Sequence, residues 1–182
     1  MSFRSKTYHT KFDQSILVRE AVPQDAEQLL ELKLQYLKNT STIPLFDYEY
    51  PNDIVEEEKL IKRYQSQNNS LLLVAAHNNT LVGNIDLTGN TRKKMQHTAV
   101  IGMGVHTNYH NQGIGTLLLQ HVLDWAQKNE ILRLVWLEVY ATNTSGIALY
   151  KKMGFKETGH IQGFFFENDN YLDKLTMTKA VS

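Results

Sequence analysis

The spacing of apolar residues in the first third of the chain predicts one short strand followed by two helices. Residues 15–20 form a β-prone run, and the polar segment before it, residues 1–14, is predicted to be a loose arm. Pro23 suits a first helical turn, and apolar residues then recur at helical spacing to about Lys38. Two prolines and many turn formers interrupt this pattern over residues 39–52. A second helix is predicted to begin at Asn52 or Asp53 and to end near Gln67.

From residue 70 onward the pattern is mainly that of strands. Residues 70–77, 80–90 and 97–106 are predicted as three strands, the first two joined by a turn at Asn78–Asn79. An apolar helical face follows Gly113, then a strand at residues 133–140 and a short helix from an N-cap at Asn143 to a stop at Gly154. Residues 155–166 and 170–180 are predicted to form a closing hairpin. This order indicates one α/β (α+β) domain over residues 15–182, with helices on both faces of a mixed sheet.

Composition and charge exclude several classes of function. Lys and Arg together number 19, as do Asp and Glu, so the formal net charge of +0 argues against a nucleic-acid-binding protein. The absence of cysteine excludes disulfides, thiolate zinc sites and cysteine nucleophiles. The N-terminal segment lacks the apolar core of a signal peptide, and no apolar run approaches a membrane span. We therefore expect a cytoplasmic protein that makes no membrane contact.

The stretch YHNQGIGTLLLQHVL, residues 109–123, places two glycines directly before a predicted helix. One interpretation is a tight turn between a strand and a helix. The other is a phosphate site, because glycine lets a ligand approach the backbone and a helix N-terminus presents free N–H groups. Two well-known phosphate motifs do not fit. No lysine precedes Thr116, as a P-loop requires, and Leu118 stands where a dinucleotide fingerprint has its third glycine.

Two blocks of sequence together resemble the GCN5-related N-acetyltransferase (GNAT) superfamily over roughly residues 70–180. The first block is HNQGIG, residues 110–115, which is similar to the superfamily's pyrophosphate loop, Gln/Arg-x-x-Gly-x-Gly/Ala. The second block is the series Asn143, Tyr150, Gly154 and Phe155. With Leu137-Glu138-Val139 before it, this second block is most similar to the ribosomal-protein alanine acetyltransferase branch. The resemblance implies a mostly antiparallel sheet with two splayed parallel central strands, and an enzyme that uses acetyl-CoA as its cosubstrate.

The resemblance also implies where acetyl-CoA binds. The splayed strand would offer its free edge to the pantetheine arm, with an oxyanion site near Met103–Gly104, and the glycine loop would hold the pyrophosphate through backbone N–H groups. The implied cofactor-binding residues are Met103, Gly104, Val105, His110, Asn111, Gln112, Gly113, Ile114, Gly115, Thr116 and Asn143. His110 departs from the Gln or Arg of the motif, which weakens one side-chain contact. Asn143 would also cap its helix, and capping alone is the alternative role.

Tyr150 and Glu138 are the candidate catalytic residues. The motif position of Tyr150 implies a hydrogen bond to the departing thiolate, with a packed tyrosine as the alternative. Glu138 lies twelve positions before Tyr150, the spacing of the alanine acetyltransferase pattern, and strand alternation puts it on one face with Trp136 and Tyr140. It is the candidate base for the acceptor ammonium. The alternative is a solvated or salt-bridged strand carboxylate, with the base elsewhere, such as Asp86 acting through water.

The acceptor site is predicted in the segment TIPLFDYEYP, Thr42–Pro51, since the region between the first two helices shapes that site in the superfamily. Phe46, Asp47, Tyr48 and Glu49 alternate aromatic rings with carboxylates, which suits a cation. We expect a small primary amine, such as an amino acid, a polyamine or an amine antibiotic, acetylated directly and without a metal. Three alternatives stay open: a loop that packs on the first helix, a peptide N-terminus as acceptor, and a non-catalytic acyl-CoA sensor. The terminal hairpin is a reasonable edge for a homodimer.

Overall fold

One eight-stranded sheet organises the chain, whose residues 3–10 and 12–181 are described by a computed structural model. The strands are β1 (Lys6–His9), β2 (Ser15–Glu20), β3 (Leu71–His77), β4 (Thr80–Gly89), β5 (Thr98–Val105), β6 (Leu134–Tyr140), β7 (Lys156–Glu167) and β8 (Asn170–Ala180). Their order in the sheet is β1-β2-β3-β4-β5-β6-β8-β7. Every neighbouring pair is antiparallel except β5 and β6, which are parallel.

Four helices cover the two faces of this sheet. They are α1 (Ala26–Lys38), preceded by a 3-10 turn at Pro23–Asp25, α2 (Ile54–Ser66), α3 (Ile114–Lys128) and α4 (Thr144–Lys152). The buried side chains of α1 and α2 cluster with those of β3 on one face. On the other face, the buried side chains of α3 cluster with Ile85 and Leu87 of β4 and with the buried side chains of β6. Helix α4 packs on this second face as well. The predicted mixed sheet with helices on both faces is therefore confirmed.

The parallel strands β5 and β6 are joined over only part of their length. They pair at Thr98–Leu134, Ala99–Val135 and Val100–Trp136, and the pairing then stops. Beyond Val100, β5 stays bonded to β4 on one side while β6 stays bonded to β8 on the other. The two strands splay apart, as predicted, and leave an opening in the middle of the sheet.

The turn between β3 and β4 forms as the sequence predicts, whereas the prediction for the N-terminal segment is wrong. Asn78 and Asn79 have φ values of 49° and 65°, as expected for the tight turn between β3 and β4. Residues 6–9, which lie in the predicted loose arm, instead form β1 and pair with β2 at the sheet edge. Within residues 3–10 and 12–181, none of the helices is both long and apolar enough to cross a bilayer.

Candidate active site

A cavity of about 540 Å³ lies where β5 and β6 splay apart. Its lining includes ten of the eleven residues predicted to bind acetyl-CoA, contributed by the end of β5, the glycine loop and the starts of α3 and α4. The exception is Gln112, whose amide nitrogen donates to the carbonyl of Asn108 (2.9 Å) within the same loop. Tyr150 also lines this cavity.

The start of α3 presents unpaired backbone donors to the cavity. Gly113 is the N-cap, with φ 88° and ψ −2°, a left-handed conformation that glycine adopts without strain. The first bond within the helix runs from the N–H of Leu117 to the carbonyl of Gly113 (3.0 Å), so the N–H groups of Ile114, Gly115 and Thr116 have no helical acceptor. No acidic residue lies in the first turn of α3. These donors and the positive end of the helix dipole favour an anion.

The start of α4 faces the same cavity. Asn143 caps this helix, since its side-chain oxygen accepts from the N–H of Gly146 (2.9 Å) and from the hydroxyl of Ser145 (3.2 Å). A Cβ atom at Gly146 would lie 2.7 Å from the amide nitrogen of Asn143, so the cap requires glycine there. The capping role of Asn143 is therefore present, and the same residue lines the cavity.

The edge of β5 that faces the opening carries unpaired backbone groups. The N–H of His106 donates to Val82 of β4 (2.9 Å), so by strand alternation Met103 and Val105 direct their backbone groups toward the opening. A ring nitrogen of His110 lies 2.8 Å from the carbonyl oxygen of Val105, which makes that nitrogen the donor. His110, the residue that departs from the loop motif, therefore fastens the loop to β5 by its side chain.

The two predicted catalytic residues occupy different environments. Tyr150 is half-buried beside the ring of Phe155, and burial raises the pKa of its phenol. Glu138 is exposed and accepts a hydrogen bond from the ammonium of Lys174 (2.7 Å), which also lies over the ring of Phe164. The residue of β6 that lines the cavity is Val139.

A second cavity, of about 330 Å³, adjoins the first and was missed by sequence reasoning. The two share Tyr36, Thr42, Ile43 and Met103 in their linings. The second lies between α1, α2 and the face of the sheet formed by β4 and β5, and Asp86 of β4 lines it. We call it the acceptor-side cavity, and the larger one the cosubstrate-side cavity.

Asp86 is held by neutral hydroxyl groups. Thr88 donates to its carboxylate (3.2 Å), the hydroxyl of Tyr64 lies 3.3 Å from the same oxygen, and Tyr64 and Thr88 are 2.6 Å apart. Burial raises the pKa of the Asp86 carboxyl, an effect that the positive charge of Lys33 and the hydroxyl donors partly oppose. Asp86 also raises the pKa of Tyr36 and Tyr64, although burial is the larger cause for both.

A buried ion pair lies beside this carboxylate. The ammonium of Lys33 in α1 is 2.6 Å from one carboxylate oxygen of Glu57 in α2. The hydroxyl of Tyr50 accepts from Lys33 (2.8 Å) and donates to the other oxygen of Glu57 (2.7 Å). Burial, followed by the contact with Glu57, raises the pKa of Tyr50. Lys33, Glu57 and Tyr50 thus form a closed triad of hydrogen bonds, which engages two of the three N–H groups of the ammonium.

Two glycines of β5 make room for the side chains over this face. A Cβ atom at Gly102 would lie 2.7 Å from a carboxylate oxygen of Asp86, its cross-strand partner. A Cβ atom at Gly104 would overlap the ring of Tyr36. The Gly-Met-Gly pattern inside a predicted strand is a sequence signal for such close approach, and it could have indicated this face of the sheet.

The four predicted acceptor-binding residues lie outside both cavities. Phe46 precedes a 3-10 turn at Asp47–Glu49, and Tyr48 lies within it. The two rings stack on each other, with 5.2 Å between their centroids, and the residues are 43% and 78% exposed. Glu49 accepts a hydrogen bond from the N–H of Phe46 (2.9 Å). The flanks of the same segment, residues 42–45 and Tyr50, line the acceptor-side cavity instead. Among the described residues, no group of three or more potential metal ligands comes together.

Comparisons with known proteins agree with this architecture. The family model described as "Acetyltransferase (GNAT) family" matches residues 28–155. The chain is similar to a solved acetyltransferase of the GNAT family from Streptococcus pneumoniae, with 29% identity and a TM-score of 0.88 over 91% of this chain and 99% of that one.

Two curated relatives from Escherichia coli (strain K12) bear different substrate names. One is a ribosomal protein bS18-alanine N-acetyltransferase, 32% identical over 92 residues, which are 50% of this chain and 62% of the relative. The chain therefore matches less than two thirds of that protein's length. The other is an L-amino acid N-acetyltransferase, 25% identical over 91% of this chain and 98% of the relative.

Proposed function

Since the chain belongs to the acetyltransferase (GNAT) family, we propose that it transfers the acetyl group of acetyl-CoA directly to the primary amine of a small molecule. The observation that carries this proposal is the pair of adjoining cavities. One ends at a helix N-terminus with free N–H groups, the other ends at Asp86, and Tyr36 and Met103 belong to both. A thioester and an amine held in the two cavities would meet at this shared wall.

The cosubstrate-side cavity fits acetyl-CoA by the chemistry of its lining. The N–H groups of Ile114, Gly115 and Thr116 suit a pyrophosphate, because they converge on the positive end of α3 without an acid nearby. The edge of β5 that β6 leaves free suits the amides of a pantetheine arm, through the N–H and carbonyl groups of Met103 and the N–H of Val105, whose carbonyl is taken by His110. Bound acetyl-CoA would supply the activated thioester.

Proton removal from the amine is the task proposed for Asp86. An alkyl ammonium has a pKa of about 10.4, so it must lose a proton before it attacks a carbonyl carbon. Burial raises the pKa of Asp86, which makes its carboxylate a stronger base than an exposed one. Glu138 is the alternative base; its exposed carboxylate accepts a hydrogen bond from the ammonium of Lys174 and lies outside both cavity linings.

Tyr150 and Met103 are proposed to stabilise charge as it develops. The hydroxyl of Tyr150 would donate a hydrogen bond to the sulfur as the thiolate leaves. The backbone N–H of Met103, on the free edge of β5, would donate to the carbonyl oxygen. Since the chain has no cysteine, the transfer is proposed to be direct rather than through an acetylated thiol.

The proposal is tested by the release of free CoA thiol from acetyl-CoA in the presence of a panel of primary amines. Asp86→Asn is expected to lower kcat by about 100-fold or more, whereas Glu138→Gln should leave kcat within a few-fold. The opposite pattern would make Glu138 the base. Binding of acetyl-CoA without transfer to any amine would overturn the enzyme and leave an acyl-CoA sensor. Lack of acetyl-CoA binding by calorimetry would overturn both.

A double variant separates the exposed loop from the acceptor-side cavity. Asp47→Asn with Glu49→Gln should leave the KM for a cationic amine unchanged, because neither carboxylate lines the cavity. A rise in the KM for the cationic amine, with the KM for acetyl-CoA unaltered, would show that the exposed loop binds the cation.

A peptide N-terminus is the second candidate acceptor. It is favoured by the relative named for alanine acetylation of a ribosomal protein. A peptide that begins with alanine therefore belongs in the panel, and a higher kcat/KM for it than for every small amine would favour this candidate.

A further inference from the structure

The charges that line the acceptor-side cavity do not cancel. Lys33 contributes one positive charge, but Glu57, which is 3% exposed, neutralises it at 2.6 Å. Asp86 contributes a carboxylate whose hydrogen-bond partners, Tyr64 and Thr88, are both neutral hydroxyls. Among the described residues of this lining, one carboxylate therefore has no cation paired to it. A ligand that brings one positive charge would complete the site.

Much of the remaining wall is apolar, and the hydroxyls of Tyr50 and Tyr64 within it already have hydrogen-bond partners. Leu37, Leu45, Leu60 and Leu72 line the cavity together with Ile43 and Pro44. A ligand body without polar groups would lose no hydrogen bonds against such a wall and would bury its surface favourably. A group the size of a water molecule occupies about 30 Å³ in a liquid. The cavity volume of about 330 Å³ therefore has room for a ligand of roughly ten non-hydrogen atoms.

We propose that the acceptor is an apolar primary monoamine without a carboxylate, whose ammonium pairs with Asp86 and whose body packs on the leucine wall. This inference rests on the proposed function and narrows its substrate class. It excludes free amino acids, the class in the name of one relative, and it excludes diamines and polyamines.

The exclusion of amino acids follows from the engagement of Lys33. A ligand carboxylate in the cavity would have to share Lys33 with Glu57, whose side chain is 2% exposed, so three carboxylates would face only two ammonium groups, those of Lys33 and of the ligand. Otherwise the ligand carboxylate would itself be buried unpaired near Asp86, which is equally unfavourable. The second ammonium of a diamine would find no second carboxylate among the described residues of this lining.

The test compares phenethylamine with L-phenylalanine, which differ only by the carboxylate. With the full chain and acetyl-CoA, kcat/KM is measured by thiol release and the product is confirmed by mass spectrometry. The expected kcat/KM for phenethylamine is at least about tenfold that for L-phenylalanine. A tenfold ratio is a lower bound, because burying an unpaired charge costs more free energy than the difference that a tenfold ratio represents. Putrescine and an alanyl peptide are measured in parallel and should both be poorer than phenethylamine.

A cavity variant provides a matched control. Leu60 is only partly buried, so Leu60→Lys places a free cation in the wall with little cost to folding, which thermal unfolding checks. The ratio of kcat/KM values for phenethylamine and L-phenylalanine should fall in Leu60→Lys and stay unchanged in Val55→Lys, which adds the same cation to an exposed position of α2 outside the cavity.

Three outcomes would overturn the inference: L-phenylalanine used as well as phenethylamine, a higher kcat/KM for putrescine or the peptide, or no acetylation of phenethylamine at all. The proposed function fails separately. It survives these outcomes if acetyl-CoA binds and any other small primary amine is acetylated, and it is lost only if acetyl-CoA does not bind or no small primary amine is acetylated.

Discussion

Removing one partner of the buried Lys33–Glu57 pair should destabilise the fold far more than removing both. The pair joins α1 to α2 beside the acceptor-side cavity, with side chains that are 9% and 2% exposed and an N–O distance of 2.6 Å. Lys33→Met leaves the carboxylate of Glu57 buried with Tyr50 as its remaining side-chain donor. Glu57→Leu leaves the ammonium of Lys33 buried with the hydroxyl of Tyr50.

The size of the effect follows from this burial. Leaving one charge of a buried pair unpaired costs about 3–5 kcal/mol. For a domain of this length, that loss corresponds to a fall of roughly 10 °C in Tm. In the double variant neither charge of the pair is left without its partner, and Tyr50 loses two hydrogen-bond partners, at about 1 kcal/mol. The double variant is therefore expected within about 2 kcal/mol of the wild type, with a coupling energy of about 3 kcal/mol or more.

Urea unfolding, followed by the fluorescence of Trp125 and Trp136, measures all four free energies of unfolding. The chain offers a matched control in α2, where Lys59 and Glu56 form an ion pair of the same length, 2.6 Å, with side chains that are 64% and 56% exposed. Lys59→Met should leave the urea midpoint unchanged, because water and salt screen an exposed pair.

Two results would refute this reasoning. If Lys33→Met and Lys59→Met shift the midpoint equally, burial does not set the strength of the pair. If the two single losses at Lys33 and Glu57 add up in the double variant, the charges act independently and the contact between α1 and α2 is held by the surrounding apolar side chains.

Three further predictions concern single residues. Gly113→Val should weaken acetyl-CoA binding by about tenfold or more, because φ is +88° there, while Gly113→Asn, which tolerates this conformation, should bind more tightly than the valine variant. Calorimetry on folded variants measures the affinity for acetyl-CoA, and equal affinities of the wild type and the valine variant would show that the glycine loop does not bind it. Tyr150→Phe should lower kcat by about 100-fold with the same dissociation constant for acetyl-CoA, and an unchanged kcat would make Tyr150 a packing residue. His121 packs between Phe3 and Tyr8, and burial lowers its pKa, so the fold favours its neutral form. The pKa of histidine in the unfolded chain is about 6.5, so the stability of the fold should decrease as the pH drops below that value. Thermal unfolding at pH 5–8 should show a weaker pH dependence of Tm for His121→Leu than for the wild type. The same pH dependence of Tm in both proteins would contradict this prediction.

The sequence by itself determined the features that depend on neighbours along the chain. The helices, most strands and the turn at Asn78–Asn79 follow from apolar spacing and turn residues, since a few adjacent residues fix these conformations. Gly113 belongs to this group, because its left-handed φ is a property of one residue. The spacing of Asn143 and Tyr150 likewise placed both on one short helix.

Only the tertiary structure decided which distant side chains meet. Asp86 reaches Tyr64 across 22 positions, and Lys33 reaches Glu57 across 24, so no local pattern links either pair. The strand β1 exists because the edge of β2 offers free backbone groups, not because residues 6–9 show a strong strand pattern. The alternation of aromatic and acidic residues in Phe46–Glu49 predicted a cation site, but composition does not fix which way a loop faces. Packing left these four side chains out of the cavity, whose lining contains the flanks of their segment together with Asp86.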